Sequence, residues 1–585
     1  MPFRSPLTEF RFLLDHVVGF TEVAGTPRFK DATPDTVDAI LTEAARLCDT
    51  TLAPLNRAGD KTPARLENGV VRTSPGFADG YRAIAEGGWI GMSANPEHGG
   101  IGLPMVLTTC VNDMMGAACL ALQLNPLMTQ GQIEALEHHA SPALKALYIP
   151  KLISGEWCGT MNLTEPQAGS DVGALRTKAE PLGDGTFAIT GQKIYITWAD
   201  NDFSANVCHL VLARLPGAGE GTRGISLFMV PKLIPDATGT LGARNSLQVV
   251  SLEHKLGLHG SPTAVMQYDG ATGWLIGEEH KGMAAMFTMM NNARLGVGMQ
   301  GVAVAEAATQ AAVAYAAERK QGKTPFGAGP IIDHADVRRM LAQMRAETFA
   351  ARAIGLSCAV AIDMGRATGS AEWSARAALL TPIAKAYGTD IGNEVACLGV
   401  QVHGGMGYIE ETGAAQYLRD AKILTIYEGT TAIQANDLVG RKTARDGGQG
   451  ARAMAVLVEQ TEGLLKARAS AACKSMARRL AAGRQAFVDA VDFIAGASRS
   501  NPNAAYAGSV PYLMLAGTVM AGWQMARALI AAEDRLAEGV DADFMRAKIA
   551  TCHFYAEHIL NKVPGLRDSI VDGSDAVTAM PLEAF

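Results

Sequence analysis

The sequence predicts a mainly α-helical protein with a β domain in its middle. Apolar residues recur at helical spacing before residue 158 and again after residue 279, where long alanine-rich runs are typical of antiparallel helical bundles. Between these stretches, short β-rich runs are separated by Gly, Asp and Pro, as in a small barrel or sandwich. The chain of 585 residues has the length of about four typical domains.

These changes of pattern divide the chain into four predicted domains. They are an N-terminal helical domain at 1–157, a middle β domain at 158–279, a helical bundle at 280–442 and an additional C-terminal helical domain at 451–585. Residues 440–450 are polar and rich in glycine, which predicts a linker before the last domain.

The apolar run at 510–525 tests whether the chain enters a membrane. Its length would allow it to cross a bilayer, but two glycines, Thr518 and Gln524 interrupt it. We therefore expect a helix buried in the additional domain or in a dimer interface, with membrane contact as the less favoured alternative.

Composition and charge indicate a globular protein of a reducing compartment. Hydrophobic residues make up 48% and charged residues 19% of the chain, which excludes a disordered polyelectrolyte. The net charge of -7 argues against a general nucleic-acid binder. Nine scattered cysteines without a CxxC pair, and an N-terminus without a long apolar core, predict a cytoplasmic protein. His138 and His139 are adjacent rather than at ligand spacing, so no metal site is predicted.

The first candidate for chemistry is Glu428. It follows the largely apolar run Leu424–Tyr427 and precedes Gly429, which leaves room for a flat ligand. A carboxylate beside apolar and aromatic surface has a raised pKa, as a general base for a carbon acid requires. The alternative is a surface glutamate that caps a helix starting at Thr430 or Thr431.

A glycine-rich segment lies upstream, at 401–408. Gly404, Gly405 and Gly407 would let backbone amides approach an anion or a planar ring. Taken alone, such a segment is more often a plain turn, and His403 alone is more often a structural histidine.

The third candidate is the loop at 163–171, which combines hydroxyls, a proline and a glycine at the junction of the helical and β domains. Ligand sites are common at such junctions, although an ordinary turn has the same composition. On the strand that follows, Tyr195 and Thr197 share one face at period two. They could address the same ligand or simply pack against the sheet.

The order and spacing of the motifs together resemble the acyl-CoA dehydrogenase family of flavoproteins. The matching segments are PEHGGIG, TEPQAGSD, GQKIYIT, ERK, QVHGGMGY and RDAKILTIYEGTTAIQ, within about residues 35–442. The resemblance implies an acyl-CoA dehydrogenase-like fold of helical domain, β-barrel-like domain and helical bundle, with FAD as cofactor and an acyl-CoA thioester as substrate. The added C-terminal domain resembles a larger subgroup that includes 3-methylmercaptopropionyl-CoA dehydrogenases.

The resemblance also implies a reaction. Glu428 would remove the α-proton of the thioester while the β-hydrogen leaves as a hydride to the flavin, giving the trans-2-enoyl-CoA. Electrons would then pass to an electron-transfer flavoprotein. Some relatives place the base on an earlier helix, just before an arginine; here Ala293 precedes Arg294, which leaves Glu428 as the candidate.

The family pattern assigns further residues to each ligand. For FAD, the implied contacts are Leu163, Thr164, Gly169, Ser170, Tyr195, Ile196, Thr197, Arg319, Phe326, Gln401, Gly404, Gly405 and Thr430. For the substrate, they are Ser170, Asn291, Arg294, Glu428 and Gly429. The family residues that match Arg319 and the 401–405 segment bind the FAD of a neighbouring subunit. The resemblance therefore implies a homodimer or a dimer of dimers.

The sequence departs from the family pattern at several positions. Tyr195 replaces a common tryptophan, and four residues lengthen the loop between Lys320 and the segment Pro325–Gly327. Ala335 and Ala432 stand where the family has glutamines, so the adenine pocket differs. Two alternatives stay open: a flavin oxidase or monooxygenase on the same fold, and a non-catalytic assembly scaffold.

Overall fold

The computed structural model describes residues 3–325, 327 and 329–585, and its contacts divide the chain into two compact units. The barrel unit consists of residues 3–5 and 39–296. The bundle unit consists of residues 6–38 and 297–585, so that the first helices of the chain belong to the same unit as the C-terminal half.

Helices dominate both ends of the chain and strands dominate its middle, which confirms the predicted fold class. The N-terminal elements are α1 Leu7–His16, α2 Phe20–Ala24, α3 Pro34–Leu47, α4 Ala53–Lys61, β1 Arg65–Glu67, β2 Val70–Arg72, α5 Phe77–Glu86, α6 Met105–His139 and α7 Pro142–Ile153. The middle strands are β3 Trp157–Asn162, β4 Lys178–Pro181, β5 Phe187–Thr197, β6 Asn206–Arg214, β7 Ile225–Pro231, β8 Leu233–Pro235, β9 Leu241–Arg244, β10 Leu247–Leu252 and β11 Thr263–Ile276. The later helices are α8 Gly282–Glu318, α9 Ala335–Thr368, α10 Ala371–His403, α11 Ala414–Lys422, α12 Thr431–Asp437, α13 Gln449–Lys466, α14 Ala471–Ser500, α15 Pro502–Ala507, α16 Ser509–Ala537, α17 Ala542–His558, α18 Val563–Val571 and α19 Ser574–Ala579.

The middle strands close into a barrel. Strand β11 pairs with β5 and β7, β6 pairs with β7, and β4 joins β5 to β6, which completes the ring. Strands β10 and β3 extend the sheet beyond the ring from β11 and β6. Side chains such as Ile189, Val211, Phe228 and Met266 fill the interior, because alternate positions of each strand point inward.

The bundle unit is built on close helix–helix contacts at glycines. A Cβ added to Gly298 of α8 would lie 2.4 Å from the Ala384 carbonyl oxygen of α10. One turn further on, a Cβ on Gly301 would lie 2.2 Å from the Gly388 oxygen. Any larger residue would force α8 and α10 apart, so these glycines fix the position of α10, which carries part of the candidate site.

The structure differs from the sequence prediction in two places. A two-stranded hairpin, β1–β2, interrupts the N-terminal helices, where only helices were expected. The predicted linker at 440–450 is wrong, because α12 continues into a π-helical segment, Leu438–Ala444, and α13 starts at Gln449. Thr443 contacts the Tyr512 hydroxyl at 2.9 Å, and the intervening turn is closed by the Asp446 carboxylate.

Three described helices are long and apolar enough to cross a membrane by length and composition alone. They are Met105–His139, Ala335–Thr368 and Ser509–Ala537, and most of the apolar window of each is buried inside the protein. The last of them contains the apolar run at 510–525, which is therefore a buried helix, as expected.

Candidate active site

Glu428 lies in a short connection between α11 and α12 with an unusual backbone. Its φ is 55°, in the left-handed region that side chains disfavour, and Gly429 follows with φ of 85°. A non-glycine residue in this region costs about 1–3 kcal/mol and persists only where its surroundings hold it. The side chain is half-buried. Such local strain is typical of residues with a function.

The helix cap beside Glu428 is a different residue. The Thr430 Oγ1 accepts a hydrogen bond of 3.2 Å from the Ile433 amide, and α12 begins at Thr431. The alternative interpretation of Glu428 as the cap is therefore wrong. The Glu428 side chain is therefore not the N-cap of α12.

Two buried side chains hold the connection. Lys385 of α10 is completely buried, and its ammonium donates to the carbonyl oxygens of Leu424 at 2.9 Å and Gly429 at 2.8 Å. Gln434 of α12, also completely buried, donates to the carbonyl oxygen of Glu428 at 3.0 Å. Three carbonyls around the strained residue are thus satisfied by side chains rather than by a regular helix or sheet.

The glycine-rich segment at 401–408 comprises the end of α10 and a largely exposed 3-10 turn, Gly404–Tyr408. No heavy atom of the described residues lies within 4 Å of a Cβ added to Gly404 or Gly405. His403 behaves as a structural residue: its ring stacks on Tyr315 at 4.4 Å, and its Nδ1 lies 2.7 Å from the Gly399 carbonyl oxygen. Burial lowers the pKa of His403.

Gln401 is exposed on the last turn of α10, beside this segment. The neighbouring Tyr408 is 86% exposed, and Met406 and Ile409 are exposed as well. Apolar side chains grouped on a surface are typical of contacts with a ligand or another subunit.

In the barrel unit, the loop after β3 is anchored by Glu165. The carboxylate is buried and accepts hydrogen bonds from the Arg176 amide at 2.6 Å, the Thr177 amide at 3.0 Å and the Lys193 ammonium at 2.8 Å. Although burial raises the pKa of Glu165, the Lys193 charge and the hydrogen bonds lower it to about 2. Lys193 also donates to the Leu163 carbonyl oxygen at 3.0 Å, so one buried ion pair fixes the whole loop.

The part of this loop that was predicted to contact FAD lies at the surface. Gly169 and Ser170 are exposed, and a Cβ on Gly169 would meet no heavy atom within 4 Å in the part of the chain that the structure describes. Leu163 is buried, and the Thr164 carbonyl oxygen accepts a hydrogen bond of 3.0 Å from the Ile194 amide. The loop therefore presents polar atoms while its root is tied to β5.

A β-bulge in β5 determines where Tyr195 points. Register shifts between the pairs Ala264–Ile196 and Met266–Lys193, and Tyr195 has a left-handed backbone with φ of 60°. The Tyr195 side chain is 61% exposed and Thr197 is half-buried, whereas Ile196 between them packs into the barrel core. Tyr195 and Thr197 thus lie on the outer face, as the period-two pattern predicted.

The remaining predicted residues lie on or near α8. Arg319 is exposed, directly after the helix ends at Glu318, and its carbonyl oxygen closes the following loop by accepting from the Ile331 amide at 2.6 Å. In the first part of α8, Asn291 is exposed, whereas Arg294 is buried with its guanidinium 5.7 Å from the Phe287 ring centre. Phe326 lies outside the described residues.

The structure groups the predicted residues into two sets. The loop and strand residues from Leu163 to Thr197 belong to the barrel unit, and Gln401, Gly404, Glu428 and Thr430 belong to the bundle unit. Four supporting residues had no predicted role: Glu165, Lys193, Lys385 and Gln434. Three of them lie within the matching segments TEPQAGSD, GQKIYIT and RDAKILTIYEGTTAIQ, and the signal for Lys385 is a lysine inside an apolar helix, as in IAKAYG.

Each set offers groups that suit part of a flavin nucleotide. In the barrel unit, the backbone and hydroxyl groups at Gly169 and Ser170 suit a pyrophosphate, and the exposed aromatic ring of Tyr195 suits an isoalloxazine. In the bundle unit, the exposed Arg319 guanidinium suits a phosphate. Within residues 3–325, 327 and 329–585, no group of three or more His, Cys, Asp or Glu side chains could hold a metal ion.

Family models match almost the whole chain. The acyl-CoA dehydrogenase N-terminal domain matches residues 34–156, the middle domain residues 160–271 and the C-terminal domain residues 280–442. A further model, described as acetyl-CoA dehydrogenase C-terminal like, matches residues 454–581.

Similar proteins come from several bacteria. The chain is 47% identical over 589 residues to a 3-methylmercaptopropionyl-CoA dehydrogenase from Ruegeria pomeroyi, covering 100% of both chains. It is 34% identical to a butyryl-CoA dehydrogenase from Syntrophomonas wolfei, covering 94% of both. A crystal structure of an acyl-CoA dehydrogenase from Bacillus anthracis, complexed with FAD, has the same fold, with a TM-score of 0.74 at 20% identity over 97% of this chain and 93% of that chain. The chain therefore belongs to the acyl-CoA dehydrogenase family and is an FAD-dependent oxidoreductase that acts on acyl-CoA.

Proposed function

We propose that the protein oxidises an acyl-CoA thioester to the trans-2-enoyl-CoA, with Glu428 as the catalytic base. The observation that carries this proposal is the strained backbone of Glu428, which is held by buried donors and has no role in capping α12. Strain of this kind is retained where it serves a function, and a general base must be held in a defined position.

The reaction requires two hydrogens to leave the substrate in different forms. Glu428 takes the α-proton on its carboxylate, and the electrons of that C–H bond form the new double bond. FAD, when bound, would supply the acceptor for the β-hydrogen, which leaves as a hydride. The family pattern assigns Ser170, Asn291 and Arg294 to the thioester and its CoA arm, and Gly429 would leave room beside the base.

The substrate class that we propose is a short thioester with a thioether in its acyl chain, 3-methylmercaptopropionyl-CoA. The support is the 47% identity to the Ruegeria protein of that name over the full length of both chains, additional C-terminal domain included. Straight-chain acyl-CoA thioesters such as butyryl-CoA are the comparison substrates, because the Syntrophomonas relative carries that name.

We further propose a cytoplasmic homodimer, or a dimer of dimers, that delivers electrons to an electron-transfer flavoprotein. The support for shared FAD sites is the exposure of Arg319, Gln401, Gly404 and Gly405, which the family pattern assigns to the cofactor of a neighbouring subunit. Guanidinium and glycine amides on a protein surface are suited to a phosphate that arrives from another chain.

Anaerobic flavin bleaching tests the proposed reaction. The purified holoenzyme is mixed without oxygen with a panel of short, medium, long, branched, aryl and thioether acyl-CoA thioesters, and flavin absorbance is followed. We expect the fastest bleaching with 3-methylmercaptopropionyl-CoA and the corresponding enoyl product. A flavin that stays oxidised with every thioester contradicts the reaction. Faster bleaching with a straight-chain thioester that lacks a thioether, such as butyryl-CoA, contradicts the substrate class.

The role of Glu428 is tested by Glu428→Gln. The amide has nearly the same shape but cannot take a proton, so we expect FAD to remain bound and bleaching to slow by at least 1,000-fold, about 4 kcal/mol of barrier. Glu411→Gln, at an exposed glutamate in the turn before α11, is the matched control and is expected to bleach normally. Near-normal bleaching of Glu428→Gln would place the base elsewhere.

A further inference from the structure

Two residues without a predicted catalytic or binding role hold the connection between α11 and α12 that carries Glu428. Lys385 of α10 donates to Leu424 and Gly429, which flank Glu428 on either side, and Gln434 donates to the carbonyl oxygen of Glu428 itself. Lys385 and Gln434 are completely buried, so neither side chain is available to a solvent-borne ligand.

Packing and backbone angles both support this arrangement of the connection. A Cβ on Gly429 would lie 2.7 Å from the Gln434 amide nitrogen and φ of Gly429 is 85°, so a larger residue would displace this donor and strain the backbone. The preceding residue, Tyr427, donates through its hydroxyl to Gln300 of α8. Helix α10 is itself fixed against α8 by the Gly298 and Gly301 contacts.

A buried lysine is an unusual donor for backbone carbonyls. Taking an ammonium out of water is unfavourable, and neutral donors could satisfy the same oxygens at a lower cost. The Lys385 ammonium has three N–H donors on one atom, and it donates to two carbonyl oxygens that lie five residues apart in the chain. Drawing Leu424 and Gly429 together forces the residues between them into a tight reversal, and Glu428 takes the left-handed conformation at that point.

We propose that Lys385 and Gln434 are positioning residues that hold Glu428 in its left-handed conformation and so aim its carboxylate at the substrate α-carbon. The aim of the carboxylate depends on φ and ψ of its own residue, since these dihedrals set the direction of the Cα–Cβ bond. Without the two donors the connection relaxes to an ordinary backbone, and the carboxylate points elsewhere. This inference rests on the proposed role of Glu428 as the base.

The direct test is Lys385→Met, which keeps an unbranched side chain one atom shorter and removes its donors. In holoenzyme matched for flavin content, we expect the rate constant of anaerobic bleaching at saturating 3-methylmercaptopropionyl-CoA to fall at least tenfold. The dissociation constant of the thioester is expected to change less than threefold. Exchange of the α-proton in D2O, followed by mass spectrometry of the thioester, is expected to slow in parallel.

A second variant keeps the test decisive if Lys385→Met does not fold. Gln434→Leu removes only the donor to the Glu428 carbonyl and carries no charge change, and the same slowing of bleaching and exchange is expected. Thr431→Val is the matched control: it removes the 2.9 Å hydrogen bond from Thr431 to Asp390, which also joins α12 to α10, and bleaching is expected to stay within twofold.

A double variant separates positioning from general stability. Because Lys385 acts through Glu428, the variant Glu428→Gln with Lys385→Met should bleach no more slowly than Glu428→Gln alone. A purely structural lysine would lower flavin content or the melting temperature and leave the exchange rate per bound flavin unchanged. Exchange within twofold of the unmodified enzyme in flavin-loaded Lys385→Met or Gln434→Leu overturns the proposal.

Failure of the inference differs from failure of the proposed function. If Glu428→Gln loses bleaching while both positioning variants keep it, the base stands and only the positioning role falls. If Glu428→Gln bleaches normally, the proposed base is wrong, and the positioning role falls with it.

Discussion

At the scale of the residue, buried charges rather than the motifs themselves set the geometry of the site. The motif residues Ser170, Gly404 and Gly405 are exposed, and a Cβ added to either glycine would meet no heavy atom of the described residues within 4 Å. Glu165 with Lys193 holds the loop of Ser170, and Lys385 holds the connection that carries Glu428; these three side chains are completely or almost completely buried. A buried charge is tolerated only where it is fully paired, so each of these residues locks a single local conformation.

Arg319 allows a prediction about the cofactor. Its guanidinium is exposed after the end of α8 and is suited to bidentate contact with a phosphate. We expect Arg319→Ala to lower FAD occupancy after dialysis by at least fivefold, measured by the ratio of flavin to protein absorbance. Arg499→Ala, at an exposed arginine of α14, is expected to keep its flavin. Equal occupancy in the two variants would refute the role of Arg319.

The Glu165–Lys193 pair allows a second prediction at this scale. Glu165→Gln leaves the Lys193 ammonium buried without a carboxylate, and loss of one partner of a buried pair costs about 3–5 kcal/mol. We expect a lower melting temperature together with weaker FAD binding, because the loop from Leu163 to Ser170 loses its anchor. Differential scanning fluorimetry and flavin occupancy measure the two effects. Lys151→Met, which removes the exposed pair with Glu156, serves as the control.

At the scale of the element, a pair of carboxylates joins α9 to α10. Gln343 of α9 donates to Glu394 of α10 at 2.7 Å and also contacts Glu347. Burial of Glu347, with the nearby Glu394 charge, raises its pKa to about 8 against an ordinary value of 4.5. At neutral pH the folded protein therefore keeps Glu347 protonated, whereas the unfolded chain ionises it.

This raised pKa makes the bundle sensitive to alkaline pH. Because the folded state binds the proton more tightly, the Glu347 contribution to stability is fully present below pH 4.5 and is lost as the pH rises through about 8. We expect Glu347→Gln to flatten the fall of the melting temperature between pH 6 and pH 9. Glu459→Gln, at an exposed glutamate of α13, is the control. A Glu347→Gln curve that falls as steeply as the unmodified curve would show that Glu347 is ionised in the folded state.

At the scale of the whole molecule, the two ends of the chain meet in one unit. Glu9 of α1 is buried against Arg352 of α9, at 3.0 Å, and against Lys548 of α17. Arg352 also reaches Glu306 of α8 at 3.0 Å. Burial raises the pKa of Glu9, but the Lys548 and Arg352 charges outweigh it and hold the pKa at about 2. The additional C-terminal domain is thus an integral part of the bundle unit rather than an appendage on a linker.

The buried network predicts a large loss of stability. Arg352→Met leaves Glu9 and Glu306 buried with one fewer cation, and we expect the free energy of unfolding of the bundle unit to fall by about 3–5 kcal/mol. Chemical denaturation followed by far-ultraviolet circular dichroism measures it. Arg546→Met breaks an exposed pair with Asp543 and is expected to cost less than about 1 kcal/mol. Equal losses in the two variants would mean that the buried network contributes nothing beyond a surface pair.

The sequence by itself determined the fold class, the family and the motif residues. Apolar residues alternate with polar ones in β5 and β11 and recur at helical spacing in α8–α10. Both patterns are local, so they can be recognised from the sequence without a structure. The motif at Glu428 was equally visible, but its backbone strain was not, because φ at one residue depends on donors 43 residues earlier and six residues later in the chain.

Only the tertiary structure decided which residues support the site and that the two ends of the chain pack together in the bundle unit. The bulge that gives Tyr195 its left-handed backbone arises from the register of β11 against β5, which the alternation alone leaves open. The predicted linker proved to be helical except for a short turn at 445–448, and its Thr443 contacts Tyr512, far along the chain. Contacts between residues that are far apart in the sequence depend on how the elements pack in three dimensions. Local sequence patterns therefore do not predict them.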